Sequence, residues 1–163
     1  MDPLIIFGAK YLFLALPLLF LLALYQASRS DRKKLIIAIV IALVIASILD
    51  KISAKLYYDP RPFVTHNVKP LITHAADNGF PSEHTLFCFT FASVIFLFRP
   101  RLGWLALGLS LIVGICRVAA HVHSPIDILG GIAIGMVAGY AAKWLTERYI
   151  AKYLNTSGTA ANQ

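Results

Sequence analysis

The stretch CRVAAHVHSPID, residues 116–127, closes one long apolar segment and opens the next, and it brings a guanidinium, two imidazoles and a carboxylate to that junction. An apolar run of about 20 residues can satisfy its backbone in lipid only as a helix, so the flanking segments are read as membrane helices. Ser124 followed by Pro125 marks a helix start, with Ser as N-cap and Pro at the first helical position, where its missing N–H costs nothing. Asp127 then falls at the third helical position, from which its carboxylate reaches back to the His123 imidazole and fixes its tautomer. The plainer alternative is that Ser124 and Asp127 only form a capping box and that His123 is a polar residue near the interface. Ionisable groups beside hydrocarbon cost roughly 2.5 to 3.5 kcal/mol each on insertion scales, so their default reading is functional.

Working outward, the 163 residues are 58% hydrophobic, and the apolar runs are dense enough to set the class. The expectation is an all-α integral membrane bundle, one domain over residues 1–154 with a disordered tail over 155–163. The formal charge of +7 invites a nucleic-acid reading, but the 15 Lys and Arg residues are scattered between apolar spans and the aromatic residues lie inside them, which argues against it. Cys88 and Cys116 both lie in apolar segments, where a free thiol packs as a small hydrophobe. Asp2 is the only charge before Lys10, and the basic cluster follows the first apolar run, so that run reads as an uncleaved span.

About five spans are expected, over residues 4–25, 35–56, 83–98, 102–120 and 125–145. The loop SRSDRKK, residues 28–34, and the later Arg99, Arg101, Lys143, Arg148 and Lys152 place alternate ends in the cytoplasm, which puts the N-terminus outside. Span two ends polar, with Asp50, Lys51 and Lys55; the two lysines share a face, and Lys51 reads first as a snorkelling residue. Residues 57–82 form an outer connection in which Pro60, Pro62, Pro70, Gly79 and Pro81 rule out one continuous helix. Gly131, Gly135 and Gly139 recur every four residues as a close helix-packing face.

This topology gathers Lys55, Arg61, Ser82, Glu83, His84, Arg117, His123 and Asp127 on one outer face. Arg61 and Arg117 offer planar forks of donors and Lys55 a point charge. The helix start at Ser82 and Glu83 offers free backbone N–H groups on a positive dipole end. Such donors suit phosphate, whose transfer depends on positioning and on stabilising charge on the equatorial oxygens. Of the two imidazoles, His123, tuned by Asp127, is the better nucleophile, which leaves His84 as the acid. Each has a bland reading alone: Ser82 as a cap, Arg61 as a snorkelling residue, Arg117 as a head-group binder, His84 as an interfacial histidine. Their joint arrival favours chemistry.

These residues carry a resemblance. KLYYDPRP (55–62), PSEH (81–84) and RVAAHVHSPID (117–127) resemble, in order, the three motifs of the type 2 phosphatidic acid phosphatase superfamily, membrane lipid phosphatases that share a helical core with vanadium haloperoxidases. Three departures stand out. Five residues separate Lys55 from Arg61 where the family has six, Glu83 stands where Gly is common, and Cys116 stands where Ser is common. The acidic middle motif, with YYDPRPF and GFPSEHT around it, is similar to the bacterial undecaprenyl-diphosphate phosphatase branch.

The resemblance implies a phosphohistidine on His123 oriented by Asp127, a leaving group protonated by His84, phosphate held by Lys55, Arg61, Ser82, Glu83 and Arg117, and no metal or cofactor. It also implies a lipid diphosphate substrate in the bilayer, at the outward face of a bacterial cytoplasmic membrane. A broader phosphatase acting on phosphatidic acid or phosphatidylglycerol phosphate is the alternative of the same class. A non-catalytic lipid-binding or transport protein is the alternative of another. A metal site drawn from His66, His74, His84, His121 and His123 is disfavoured, because the loop histidines have no ligand spacing.

Overall fold

Pro17 stands inside the first apolar segment, and the single helix expected over 4–25 is broken just upstream of it. The computed structural model, which describes residues 1–150, resolves that segment into α1 (Asp2–Lys10), a 3-10 turn (Leu12–Leu14) and α2 (Ala15–Tyr25), with a bend of 43°. Proline has no N–H for the Phe13 carbonyl and its ring presses on it, so the turn before it tightens and the axis swings. The tail expected over 155–163 lies outside the described residues.

The second helix, α3 (Arg29–Leu56), begins earlier than expected. Ser28 accepts a hydrogen bond from the Asp31 N–H at 3.2 Å, so the basic run expected as a loop is the first turns of this helix. The actual connection is 26–28. The missed signal was local: a Ser N-cap with an acidic residue at the third helical position.

After α3 the chain forms α4 (Pro62–Thr65), α5 (Glu83–Phe98), α6 (Pro100–Ala119) and α7 (Pro125–Leu145), the last running on into a π-helical turn, Thr146–Ile150. The described residues contain no strand beyond an isolated bridge between Pro60 and Asn78. Three helices, α3, α6 and α7, are each long and apolar enough to cross a membrane, and the bent pair α1 and α2 adds a fourth when counted as one. The remaining apolar helix, α5, has 16 residues. At 1.5 Å per residue it is about 24 Å long, short of the roughly 30 Å of bilayer hydrocarbon. It sits in the middle of the bundle, packed by α3, α6 and α7, and is buried around most of its circumference.

The expected glycine face is what lets α7 approach α5 so closely. A Cβ at Gly131 would lie 2.9 Å from the Ser82 carbonyl oxygen, and one at Gly135 would lie 2.8 Å from that of Leu86. Ser93 on α5 uses the same contact to donate to the Gly135 carbonyl at 3.1 Å. At the end of the bundle away from residues 57–82, Arg99 pairs with Asp31 at 3.4 Å and Lys143 donates to the Leu97 carbonyl at 3.1 Å.

Residues 57–82 are long but tied down. Asn78 uses its whole side-chain inventory on backbone: its Nδ2 donates to Ala54 and Tyr57 carbonyls, both at 3.0 Å, and its Oδ1 accepts from Asp59 N at 2.9 Å and Phe80 N at 3.0 Å. Farther up the segment, Leu71 N donates to the Ala120 carbonyl at 3.1 Å and Ile72 packs with Ala9, Ala120 and Val122.

The α5–α7 contact gives a paired expectation. Gly135→Ala forces overpacking and lowers stability by about 1 to 3 kcal/mol. Gly108→Ala on α6, where an added Cβ meets nothing within 4 Å, is neutral or stabilising by up to about 1 kcal/mol. Thermal unfolding of both variants in detergent checks the order; equal effects would mean that the approach of α5 to α7 is not tight.

Candidate active site

The site is built where α6 hands over to α7. Ala120 ends α6, and His121 takes the left-handed conformation at φ 60°. His121 N donates to Val118 O at 2.9 Å and Val122 N to Arg117 O at 3.3 Å, the two bonds of a Schellman turn. His121 is therefore exposed and occupied with reversing the chain, a position where His is better tolerated than most residues. The turn delivers His123 inward, buried at 3% exposure.

Asp127, fully buried, accepts with one oxygen, Oδ2, from Ser124 N at 2.8 Å and from His123 Nδ1 at 3.2 Å. Capping and orienting, set out above as alternatives, are both present and share an atom. The tautomer follows from the partners. A carboxylate only accepts, so Nδ1 carries the proton; Arg117 Nη2 at 3.1 Å and Arg61 Nη1 at 3.4 Å only donate, so Nε2 offers its lone pair.

That lone pair faces a cavity of about 140 Å³ lined by Arg61, His74, Glu83, His84, Arg117 and His123, with Asp50, Asp77 and Asn78 also in its wall. Arg61 is buried and largely committed to the protein: Nε donates to Asp77 at 2.7 Å, Nη1 to Val122 O at 2.8 Å and Nη2 to Asn78 O at 3.2 Å. Arg117 is different. It is 2% exposed, donates to Ala9 O at 3.3 Å and to His123, leaves Nε without a partner, and forms no salt bridge among the described residues. A buried cation in that state is complete only with an anion from outside.

Burial first of all, and then the Arg117 and Arg61 guanidiniums, hold the His123 imidazole below its usual value, against the opposing pull of the Asp127 hydrogen bond. His74 is lowered likewise, by burial and then by Arg61 and Arg117, with the Asp77 carboxylate and the Ala75 carbonyl pulling the other way. The hydrogen bond from Arg61 keeps the Asp77 carboxyl below the usual carboxylate range. Both imidazoles are thus biased toward the neutral form.

Of the residues expected from the sequence, the structure brings Arg61, Glu83, His84, Arg117 and His123 to the cavity, with Asp127 behind His123. His84 lies edge-on to Phe13, ring centroids 4.9 Å apart. Ser82 is buried behind the wall: its N–H donates to the Asp127 carbonyl at 3.1 Å and its hydroxyl accepts from Thr85 at 3.1 Å. The N–H expected to be free at Ser82 is therefore used, and the uncapped groups of α5 begin at Glu83, whose side chain is exposed. Lys55 is exposed at the end of α3 and does not line the cavity, although its neighbour Ala54 does. Lys51 lines an adjoining groove with Asp50, Glu83 and Phe87. His66 is exposed.

Sequence reasoning missed four contributors. Asp77 and Asn78 hold Arg61 and gave no signal beyond a turn-like composition. Asp59, which accepts from the Ser124 hydroxyl, was visible only as part of DPRP. His74 carries no local pattern in the sequence that would place it at the cavity.

The comparisons with known proteins bear on this geometry. The PAP2 superfamily model matches residues 33–150. A Bacillus licheniformis protein named bacitracin transport permease protein BcrC is 40% identical over 148 residues, covering 88% of this chain and 71% of that protein. The undecaprenyl-diphosphatase BcrC of Bacillus subtilis is 32% identical over 141 residues, covering 86% and 72%. Among solved structures, Aquifex aeolicus LpxE superposes with a TM-score of 0.65 at 26% identity over 86% of this chain and 84% of that one. With all three sequence motifs at one end of a helical bundle and a family match over most of its length, the chain belongs to the PAP2 superfamily.

Proposed function

We propose that this protein is a membrane lipid diphosphate phosphatase that hydrolyses undecaprenyl diphosphate to undecaprenyl phosphate and inorganic phosphate through a phosphohistidine on His123. The observation that carries the reading is Arg117, a buried cation with no carboxylate partner among the described residues, in contact with an imidazole whose other nitrogen rests on Asp127. Such a site needs a phosphate-like anion and sets a nucleophile beside it. The name of the Bacillus subtilis relative supplies the substrate.

The chemistry follows from the atoms. The two guanidiniums donate to the Nε2 lone pair; an arriving phosphate takes those donors onto its oxygens and frees it. Nε2 then attacks the terminal phosphorus, a P–N bond forms, and the P–O bond to the lipid phosphate breaks. Asp127 keeps the Nδ1 proton and stabilises the imidazolium, as the carboxylate does in a hydrolase triad. His84 gives its proton to the departing oxygen, then takes one from a water that attacks the phosphohistidine, breaking the P–N bond and restoring both imidazoles. Lys55, one residue past the cavity wall, acts as a rim charge that draws the diphosphate in.

In this reading α1 with α2, α3, α5, α6 and α7 make five spans, with the N-terminus and the site facing outward from a bacterial cytoplasmic membrane. The short α5 is tolerated because it faces protein instead of lipid. Its late start leaves room for the cavity. Transport, suggested by the name of the Bacillus licheniformis relative, fits less well. The described buried charges, Arg61, Arg117, His123 and Asp127, cluster at one end, whereas Thr90, Ser110 and Thr146 along the helices bond their own backbone.

Purified protein should release orthophosphate from undecaprenyl diphosphate faster than from phosphatidic acid or phosphatidylglycerol phosphate, with a strong chelator present. His123→Ala should lose on the order of 10³-fold or more of that activity. Quenching wild-type turnover in alkali should trap an acid-labile phosphoenzyme; an active His123→Ala protein would end the assignment.

The pH expectation has a definite sign. Attack needs neutral His123, and a depressed value keeps that ring neutral to lower pH than a free imidazole, so the nucleophile is lost as pH falls through that lowered value, while the proton that His84 must give to the leaving oxygen is lost as pH rises. Nitrogen NMR of the substrate-free protein should show His123 with its proton on Nδ1 and neutral at pH 7; a ring already charged at that pH would contradict the geometry.

A further inference from the structure

We propose that His74 is a third substrate-contacting imidazole, holding the phosphate that stays on the lipid and so favouring diphosphates over phosphate monoesters. This rests on the lipid diphosphate phosphatase reading and assigns a residue that the nucleophile, the acid and the guanidiniums leave without a task.

Placement is the first argument. His74 lies in the 57–82 segment between two anchors. On one side Leu71 is bonded to the Ala120 carbonyl at 3.1 Å and Ile72 is buried against Ala120 and Val122. On the other, Asp77 holds Arg61 at 2.7 Å and Asn78 clamps the end of α3. The ring is thereby fixed over the site. It lines the cavity with His84, Arg61 and Arg117, and its centroid is 6.0 Å from that of His123 at an interplanar angle of 75°. Its Nδ1 is buried with no hydrogen-bond partner among the described residues. Buried polar atoms are nearly always satisfied, so one left open in a ligand cavity marks a place for a ligand atom.

Donor accounting is the second. A guanidinium has five N–H groups. Arg117 commits one from Nη1 to Ala9 O and gives up its Nη2 bond to His123 when the phosphate arrives, which leaves four, including Nε. Arg61 commits Nε to Asp77, one from Nη1 to Val122 O and one from Nη2 to Asn78 O, and likewise gives up its bond to His123, which leaves two. With the uncapped start of α5 at Glu83, these cover the three equatorial oxygens of a transferred phosphoryl group, and His84 serves the departing oxygen. A single phosphate has no oxygen left for His74. A diphosphate does, and a site built to hydrogen-bond a group discriminates against ligands that lack it.

The test is binding in the full-length protein in detergent, with methylenediphosphonate as a non-hydrolysable diphosphate and orthophosphate as the single-phosphate probe. His74→Ala should weaken methylenediphosphonate by about 10- to 100-fold while orthophosphate changes by less than about threefold, and His74→Gln, which keeps a donor, should recover part of the loss. Retained orthophosphate binding also shows that the variant is folded. Equal weakening of both probes, or of neither, overturns the proposal. Binding does not depend on turnover, so a wild-type protein that bound both probes normally but released no phosphate from undecaprenyl diphosphate would defeat the functional reading and leave this inference standing.

Discussion

One carboxylate oxygen holds the site and the fold together. Asp127 Oδ2 accepts the N–H that opens α7 and the N–H of the His123 ring, so the start of a long apolar helix and the tautomer of a buried imidazole are set by the same atom. The backbone of the same residue takes part as well, since its carbonyl accepts from Ser82 N and ties the start of α5 to the start of α7. Gly79 packs so near this carboxylate that a Cβ there would lie 2.8 Å from Oδ2. Two segments far apart in sequence, residues 79–82 and 123–127, therefore meet at one residue with no slack.

The consequence is a cavity with an electrostatic deficit. Two guanidiniums are buried beside an imidazole, and among the described residues only Arg61 has a carboxylate partner, the exposed Asp77. Folding alone does not complete this arrangement, because the desolvation cost of Arg117 is offset only in part by the Ala9 carbonyl and His123. An anion placed against Arg117 would supply the missing compensation, which makes the cavity selective for negative charge. That α1 supplies the Ala9 carbonyl also explains why the bend at the 3-10 turn matters: it turns the first helix so that its end packs on the carboxyl end of α6.

Much of the path to this site could be read locally. Ser124-Pro125 gave the first residue of α7, and Gly131, Gly135 and Gly139 gave the face that α5 packs on, because caps and four-residue spacing are properties of adjacent residues. Where local signals were weighed too lightly the boundaries slipped. Ser28 and Asp31 begin α3 inside the basic run, and Pro17 breaks the first segment. Lys55 shows the limit from the other side, since a residue can match a motif in type and approximate spacing and still end on the exposed face of its helix.

The sequence by itself determined the membrane-helical class, the helix starts and the chemical set of two imidazoles, two guanidiniums and a carboxylate, because composition, capping and periodicity act over a few residues. Only the tertiary structure decided which nitrogen of His123 carries the proton, that Arg117 lacks a counter-charge among the described residues, that Ser82 gives its N–H to Asp127, and that His74 stands over the cavity. Each of these depends on contacts between segments tens of residues apart, such as Arg61 with Val122 and Leu71 with Ala120, and spacing along one chain carries no information about which distant donor meets which acceptor.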